Sequence, residues 1–545
     1  MKRFFLLTLA SAALLGASAA PVKTYEVKSP DGRLALVLTA GERLSFTVAR
    51  DGETLVAPSE MALTLSTGEV LGESPRVRSA RRRAVTETID APLYRQSRFD
   101  AAYNELDLRL RGDYGILARA YDDGVCYRFY TERDGELTIV DETAQLNFEG
   151  DPSAYIPYSK TEIPMRTSFE NTYEYAPLSK FRTQTVAFMP VLVDLGERGY
   201  VLYTESDVEA YPGVYLTYDK EAKGFAARFA EYPTETSLTK RFQDVVERSA
   251  DYIARVDGRR SYPWRIVAYA ATATELPVND MVWQTAEASR VADASWVRDG
   301  KIAWDWWNNW GVYGVDFKSG INTETYKYFI DFAAANGIEY VALDEGWGVR
   351  DGDVMHVVPE IDLPEIVSYA REKKVGIILW VVAKVLDDKL EEACRYYSEL
   401  GVAGWKVDFI DRQDQAAVER VYRIADAAAR YRMIVDFHGV YKPTGLQRTY
   451  PNVVNFEGIF GLEQLKWTDK TDAGLRLHLP LHPSGGRPGR LHAGGDAQRF
   501  AQEFPCGQQP SDEPGHARPS GRDLRRLRFA AGDALRFADG LREGA

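Results

Sequence analysis

VAGWKVDFIDRQDQ (Val402–Gln415) and MIVDFHGVYKPTGLQRTYPNVVNFEGIFGLEQLKW (Met433–Trp467) share one rhythm. A short apolar run leads into a polar cluster three times: Trp405-Lys406-Val407-Asp408, Val435-Asp436-Phe437-His438 and Val453-Val454-Asn455-Phe456-Glu457. A parallel strand covered on both faces is nearly continuously hydrophobic. In a (β/α)8 barrel the polar residues at the C-terminal ends of such strands face the active site. Asp408, His438, Glu457 and Glu463 then belong to one pocket fed by consecutive strands. For any one strand, loop acids and a hydrogen-bonded core histidine explain the same letters; three strands in succession favour the pocket.

Working outward toward the N-terminus, the same alternation of strand and helix begins near residue 300. Ile302 to Trp307 opens it. A helix follows from about Asn322, with Tyr326, Phe329, Ile330 and Ala333 on one face and a stop at Gly337. Ile338–Leu343 reads as a strand ending in Asp344-Glu345-Gly346-Trp347, and Pro364 suits the first turn of the next helix. Val375–Val382, Val402–Phe409, Met433–Phe437 and Asn452–Phe456 complete six strands, with helices predicted over Asp387–Leu400 and Gln415–Tyr431. The fold class expected is multidomain: an N-terminal β-sandwich followed by a TIM-type (β/α)8 barrel that is incomplete at its C-terminus. Residues 20–270 make the sandwich, because Arg33 to Leu38 and Leu106 to Leu110 alternate with period two and Asp122-Asp123-Gly124 is a hairpin turn. Residues 271–299 read as a linker with helical character, and 300–472 as six barrel units. Glu170, in Ser168-Phe169-Glu170-Asn171-Thr172, reads from the residues alone as a surface acid.

The ends differ from the middle. Residues 1–19 read as a secretory signal: Lys2 and Arg3, an apolar run from Phe4 to Leu15, then Ala17-Ser18-Ala19. An exported protein, periplasmic or secreted, is expected, without membrane insertion. From Ala473 to Ala545 there is no Val, Ile, Tyr, Thr, Asn, Lys, Met or Trp, while that segment holds 11 Arg and four of the six His. It reads either as a disordered basic tail or as the product of a frameshift in a GC-rich gene. A one-base-shifted rereading gives strand-like runs followed by acids, so an aberrant tail replacing the last barrel units is the expectation. The net charge of -13 over 545 residues argues against a nucleic-acid partner. The three cysteines, Cys126, Cys394 and Cys506, have no metal-type spacing, and the first two read as small core residues.

Two carboxylates flanking the scissile bond are the minimum for glycoside hydrolysis. Asp408 is placed to attack the sugar carbon or to activate water. Lys406 shares its side of the strand and would keep it ionised. Glu463, past the sixth strand, is the candidate acid/base. A structural Lys406–Asp408 ion pair is the plain alternative.

With Ser168 to Tyr173, Trp304-Asp305-Trp306-Trp307-Asn308, Gly314 to Lys318, Leu343-Asp344-Glu345-Gly346-Trp347, Lys406-Val407-Asp408-Phe409, Pro443 to Leu446, Arg448 to Asn452 and Asn455-Phe456-Glu457-Gly458, the chain resembles glycoside hydrolase family 97 up to about Asp472. The reread tail also looks like that family's last two barrel strands. The resemblance implies hydrolysis of α-linked sugars with calcium at the active site. Asp408, with Gly439 where the inverting α-glucosidases carry a base glutamate, looks like the retaining branch, whose theme is α-galactosidase. It implies an exo-acting enzyme cleaving terminal α-galactosides of an oligosaccharide or simple glycoside by double displacement. Asp408 is then nucleophile and Glu463 acid/base. Calcium is held by Glu170, Glu457 and Glu463. Glu345, Lys406 and His438 match sugar-contacting positions, and Trp304 and Trp306 wall the pocket or pack the core. An inverting α-glucosidase and an inactive sugar-binding product of a damaged gene are the competing readings.

Overall fold

A computed structural model describes residues 22–91, 93–163 and 165–468. The signal segment and the aberrant tail, with Cys506, lie outside the described residues. From Lys23 to Ala270 the regular structure is strand apart from two 3-10 turns, Leu178–Lys180 and Gly196–Arg198, and the pairings are antiparallel. Tyr114–Tyr121 turns directly into Gly124–Asn147, with Tyr121 opposite Gly124, so Asp122 and Asp123 form the two-residue hairpin loop that was expected. That 24-residue strand pairs with several others and ties the layers together. Period two gives Leu34, Leu36 and Leu38 to the interior, where they meet Phe46, Leu106, Ile116 and Phe129.

One antiparallel ribbon, Pro233–Leu238 with Asp244–Ser249, pairs with no other strand among the described residues. Its tip, residues 239–243, is braced by Thr239, whose Oγ1 accepts from the amides of Arg241 and Gln243. Asp244, opposite Leu238 just past the tip, is buried against Arg412 and Arg420 of the second domain. The ribbon therefore carries sandwich residues over the barrel mouth.

The second domain is a six-stranded sheet, parallel throughout and in chain order: Ile302–Trp304, Tyr340–Leu343, Gly376–Val382, Gly404–Asp408, Ile434–His438 and Val453–Glu457. All six expected strands are present; the first ends at Trp304, three residues before Trp307, where a 3-10 turn begins, and the others shift by no more than two residues at either end. The segment expected to replace units seven and eight lies outside the described residues. Outward positions Val341, Leu343, Ile377, Leu379, Trp405, Val407, Val435 and Phe437 pack against the helices. Their neighbours at the alternate positions face the centre, as strand geometry requires.

Helix Thr323–Ala335 buries the predicted Tyr326, Phe329, Ile330 and Ala333, and Asn322 caps it by accepting from Thr325 N. Pro364 lies in the first turn of Leu363–Glu372. The helix expected over Asp387–Leu400 is instead two, Ala383–Asp388 and Leu390–Leu400. Lys389 leaves helical geometry at φ -130°, ψ 31°, with its ammonium 2.6 Å from Asp353. Cys126 and Cys394 are buried free thiols, as expected. Among the described residues no helix is long and apolar enough to cross a membrane.

Candidate active site

Strand parity builds the site. In the fourth barrel strand Trp405 and Val407 face the helices, so Lys406 and Asp408 face inward. Asp408 Oδ2 accepts from Trp380 Nε1 of the third strand at 2.9 Å, and Oδ1 accepts from Phe409 N at 2.7 Å. Burial raises the Asp408 carboxyl above its ordinary value, against the pull of Lys406, His438 and the Trp380 bond.

The bonded partner of Lys406 is Asp344, not Asp408. Lys406 Nζ sits 2.5 Å from Asp344 Oδ2 and 4.2 Å above the Trp304 ring. Asp344 also accepts from Trp304 Nε1 at 2.5 Å and from Glu345 N at 2.7 Å. Burial works against the ammonium, but Asp344, Asp408 and Glu457 outweigh it and hold Lys406 charged. His438 is buried between Asp436, 3.1 Å from Nε2, and Glu457, bonded at Nδ1. Burial opposes its charge too, yet the two carboxylates raise it well above the usual histidine range. His438 is thus a cation that orients Glu457.

Glu463 stands in the short 3-10 turn Leu462–Lys466 and accepts from Trp306 Nε1 at 2.7 Å. Burial, then the charge of Glu457, raises its carboxyl, the direction a general acid needs. Glu170 comes from the sandwich. Its Oε2 accepts from Gln464 Nε2 at 2.7 Å, beside Glu463 in sequence. Burial raises it well above normal, followed by the charges of Glu457, Asp408 and Glu463. Read from the residues as a surface acid, Glu170 is instead part of this cluster.

Glu345 lies at the rim. It is held by Arg241 of the ribbon tip at 2.5 Å and by Arg350 at 3.2 Å. Arg241, Phe242, Glu345, Trp347 and Trp380 line a cavity under the tip. The sequence reading missed Asp344, Trp380 and Asp436. Inward parity with Lys406 was the available signal for each of them.

The donor set Glu170, Glu457 and Glu463 is all oxygen, and the first and last are crowded by like charge, which a hard cation relieves. Among the described residues no group of three or more His, Cys, Asp or Glu side chains is already arranged to hold a metal ion. Each carboxylate is held by a donor instead: Gln464, His438 and Trp306 respectively. The chemistry of the donors fits calcium, and binding would need these side chains to turn.

Buried acids at the C-terminal ends of a parallel barrel's strands, with a sandwich residue among them, are the kind of arrangement a glycoside hydrolase uses. Two family profiles match the chain: Glycosyl-hydrolase 97 N-terminal over residues 27–287 and Glycoside hydrolase 97 over residues 306–459. The retaining alpha-galactosidase of Bacteroides thetaiotaomicron is 44% identical over 455 residues, which is 82% of this chain and 69% of that protein. A probable retaining alpha-galactosidase of Streptomyces bingchenggensis is 31% identical, over 80% of this chain and 64% of that protein. The fold is that of a beta-arabinopyranosidase (TM-score 0.73, 21% identity, 87% of this chain and 76% of that one). It is also that of a family 97 enzyme from Pseudoalteromonas sp. strain K8 in complex with acarbose (TM-score 0.70, 20% identity, 81% and 70%). The chain belongs to glycoside hydrolase family 97.

Proposed function

We propose that this chain is an exo-acting, calcium-dependent α-galactosidase that retains configuration by double displacement. Asp408 attacks the anomeric carbon while Glu463 protonates the departing oxygen. Water deprotonated by Glu463 then breaks the glycosyl–Asp408 ester and releases the sugar as the α-anomer. Lys406 and His438 supply fixed positive charge beside the reacting carboxylates, and Glu345 takes a glycone hydroxyl. Calcium, held by Glu170, Glu457 and Glu463, would supply a Lewis-acidic centre that orients hydroxyls. The natural substrate is an oligosaccharide or glycoside ending in α-galactose, met outside the cytoplasm by an exported enzyme.

The observation that carries this reading is the pairing of Asp408 with Gly439. Gly439 has φ +54°, and a Cβ there would stand 2.9 Å from Asp411 Oδ1 and 3.4 Å from Asp408 Oδ1. A side chain at 439 would be strained by that φ and would press on Asp411 and Asp408, and glycine there supplies no base, which favours Asp408 itself as the group acting on the anomeric carbon. The name borne by the 44% identical relative points the same way. The test is hydrolysis of p-nitrophenyl α-galactoside against α-glucoside, with and without calcium, by the wild type and by Asp408→Ala. Galactoside turnover lost in the variant and partly restored by azide is expected. A preference for glucoside, or an unaffected variant, rejects the proposal.

A further inference from the structure

We propose that Asp411 is a positioning residue of this same reaction, presenting a neutral carboxyl group to the nucleophile across the gap left by Gly439. The inference rests on the reading of Asp408 as nucleophile.

Asp411 lies three residues past Asp408, in the loop that leaves the fourth strand, and is 9% exposed. Phe409 and Asp411 both take left-handed backbone, φ 61° and 51°, a strained geometry for side chains of this kind. Three elements hold the residue there. Its N–H donates to Gly439 O at 2.7 Å, and its carbonyl accepts from Thr167 N at 3.0 Å, in the sandwich loop that carries Glu170. Its Oδ2 accepts from Gln243 Nε2 of the ribbon tip at 3.2 Å, a contact across 168 residues of sequence. Its Oδ1 is turned the other way, into the space over Gly439. That oxygen and Asp408 Oδ1 lie 2.9 and 3.4 Å from the single point where a Cβ on residue 439 would stand. Two carboxyl groups therefore face one small gap.

Like charges in one gap do not both ionise readily. Burial first, then the charge of Asp408, push Asp411 up to about 7. Asp244, just past the ribbon tip, adds to the rise, while Arg166 and Lys160 of the sandwich work against it. Burial leaves the Asp408 carboxyl above its ordinary value too, but Lys406, His438 and the Trp380 bond favour its ionised form and keep that rise the smaller of the two. The division of labour follows: Asp411 keeps the proton and Asp408 the charge. When Asp411 ionises, its repulsion turns Asp408 off its two donors, and turnover falls on the alkaline side.

Asparagine copies the protonated form, accepting from Gln243 with its oxygen and donating into the gap with its nitrogen. The experiment compares kcat/KM for p-nitrophenyl α-galactoside across neutral pH in the full chain, Asp411→Asn, Asp411→Ala and Gln243→Leu. The wild type should lose activity on the alkaline side with a midpoint near 7. Asp411→Asn should keep activity within about tenfold and lose that limb. Asp411→Ala should fall by about 10- to 100-fold at every pH, the worth of a bond to a charged group. Gln243→Leu, which removes a donor from the ionised form, should move the limb to higher pH. An alkaline limb unchanged in Asp411→Asn, or equal losses in Asn and Ala with the wild-type profile, overturns the inference. Infrared difference spectra read the proton without substrate: the protonated-carboxyl C=O intensity that titrates near neutrality, to which buried Asp305 also contributes, must fall by one carboxyl in Asp411→Asn, and an unchanged intensity overturns the inference. A wild type inactive on the galactoside with the infrared result as expected would instead reject the galactosidase reading and leave Asp411 a proton-holding neighbour of Asp408.

Discussion

Trp380→Phe isolates one bond to the nucleophile. Trp380 Nε1 donates to Asp408 Oδ2 at 2.9 Å, with both side chains half-buried. Phenylalanine keeps most of the ring volume and its edge-on contact with Phe409 at 5.8 Å, but removes the donor. A hydrogen bond to a charged group contributes about 1.5 to 3 kcal/mol, and about 1.4 kcal/mol corresponds to one pH unit. The loss acts on the ionised form of Asp408, so its proton should leave about 1 to 2 units later. The acid limb of kcat/KM should rise by that amount. The plateau should drop by less than about tenfold, because the Phe409 N bond to Oδ1 still orients the carboxylate. Steady-state rates on an aryl α-galactoside, with thermal unfolding as a control for folding, provide the assay. An acid limb that stays in place while activity falls evenly at all pH would refute the assignment of that limb to Asp408.

Other perturbations test neighbouring parts of the account. Glu463→Gln should slow galactosides with poor leaving groups by about 10²- to 10⁴-fold and aryl substrates with good ones far less; equal losses would remove Glu463 as the acid. Gly439→Ala forces an L side chain into φ +54° against Asp411, at a cost of about 1 to 3 kcal/mol; an unchanged melting temperature and kcat would contradict the crowding described. Chelation should abolish turnover and calcium, not magnesium, should restore it, with Glu457→Gln raising the calcium needed; turnover indifferent to chelator removes the metal. Asp244→Ala removes one carboxylate partner from each of Arg412 and Arg420, which keep Asp414 and Asp387, and should cost less than the about 3 to 5 kcal/mol of a fully broken buried pair in urea unfolding. Asp244 is held below its ordinary value, burial notwithstanding, by Arg420 and Arg412. Its contribution is therefore present above the unfolded value near about 3.9 and lost as pH falls through the lowered one. The variant should show a correspondingly shallower acid dependence.

The barrel was legible because its strands are buried on both sides and end in polar residues, a local pattern that survives in Lys406-Val407-Asp408 and Asp436-Phe437-His438. The same alternation hides Trp380 inside the apolar run GIILWVV, where its indole looks like core although its N–H points at Asp408. Asp344 was overshadowed by Glu345. The first ends the inward row and holds Lys406, while the second, one residue on, turns to the rim and to Arg241. No short-range pattern announces the sandwich ribbon over the barrel, since Arg241–Glu345 and Gln243–Asp411 join residues more than a hundred positions apart. Glu170 was reached through resemblance alone, for the same reason. The break at Lys389 escaped because nothing in DKLEEACRYY lowers helix propensity; a long-range bond to Asp353 competes there.

Mechanism-based trapping puts the central claim to its most direct test. Incubating the enzyme with a 2-deoxy-2-fluoro galactosyl donor carrying a good leaving group should accumulate a glycosyl-enzyme. Peptide mass spectrometry should then place the sugar on the fragment containing Lys406-Val407-Asp408. A label on any other carboxylate, or turnover of the native substrate with β-galactose as the first-formed anomer and no label, would contradict it.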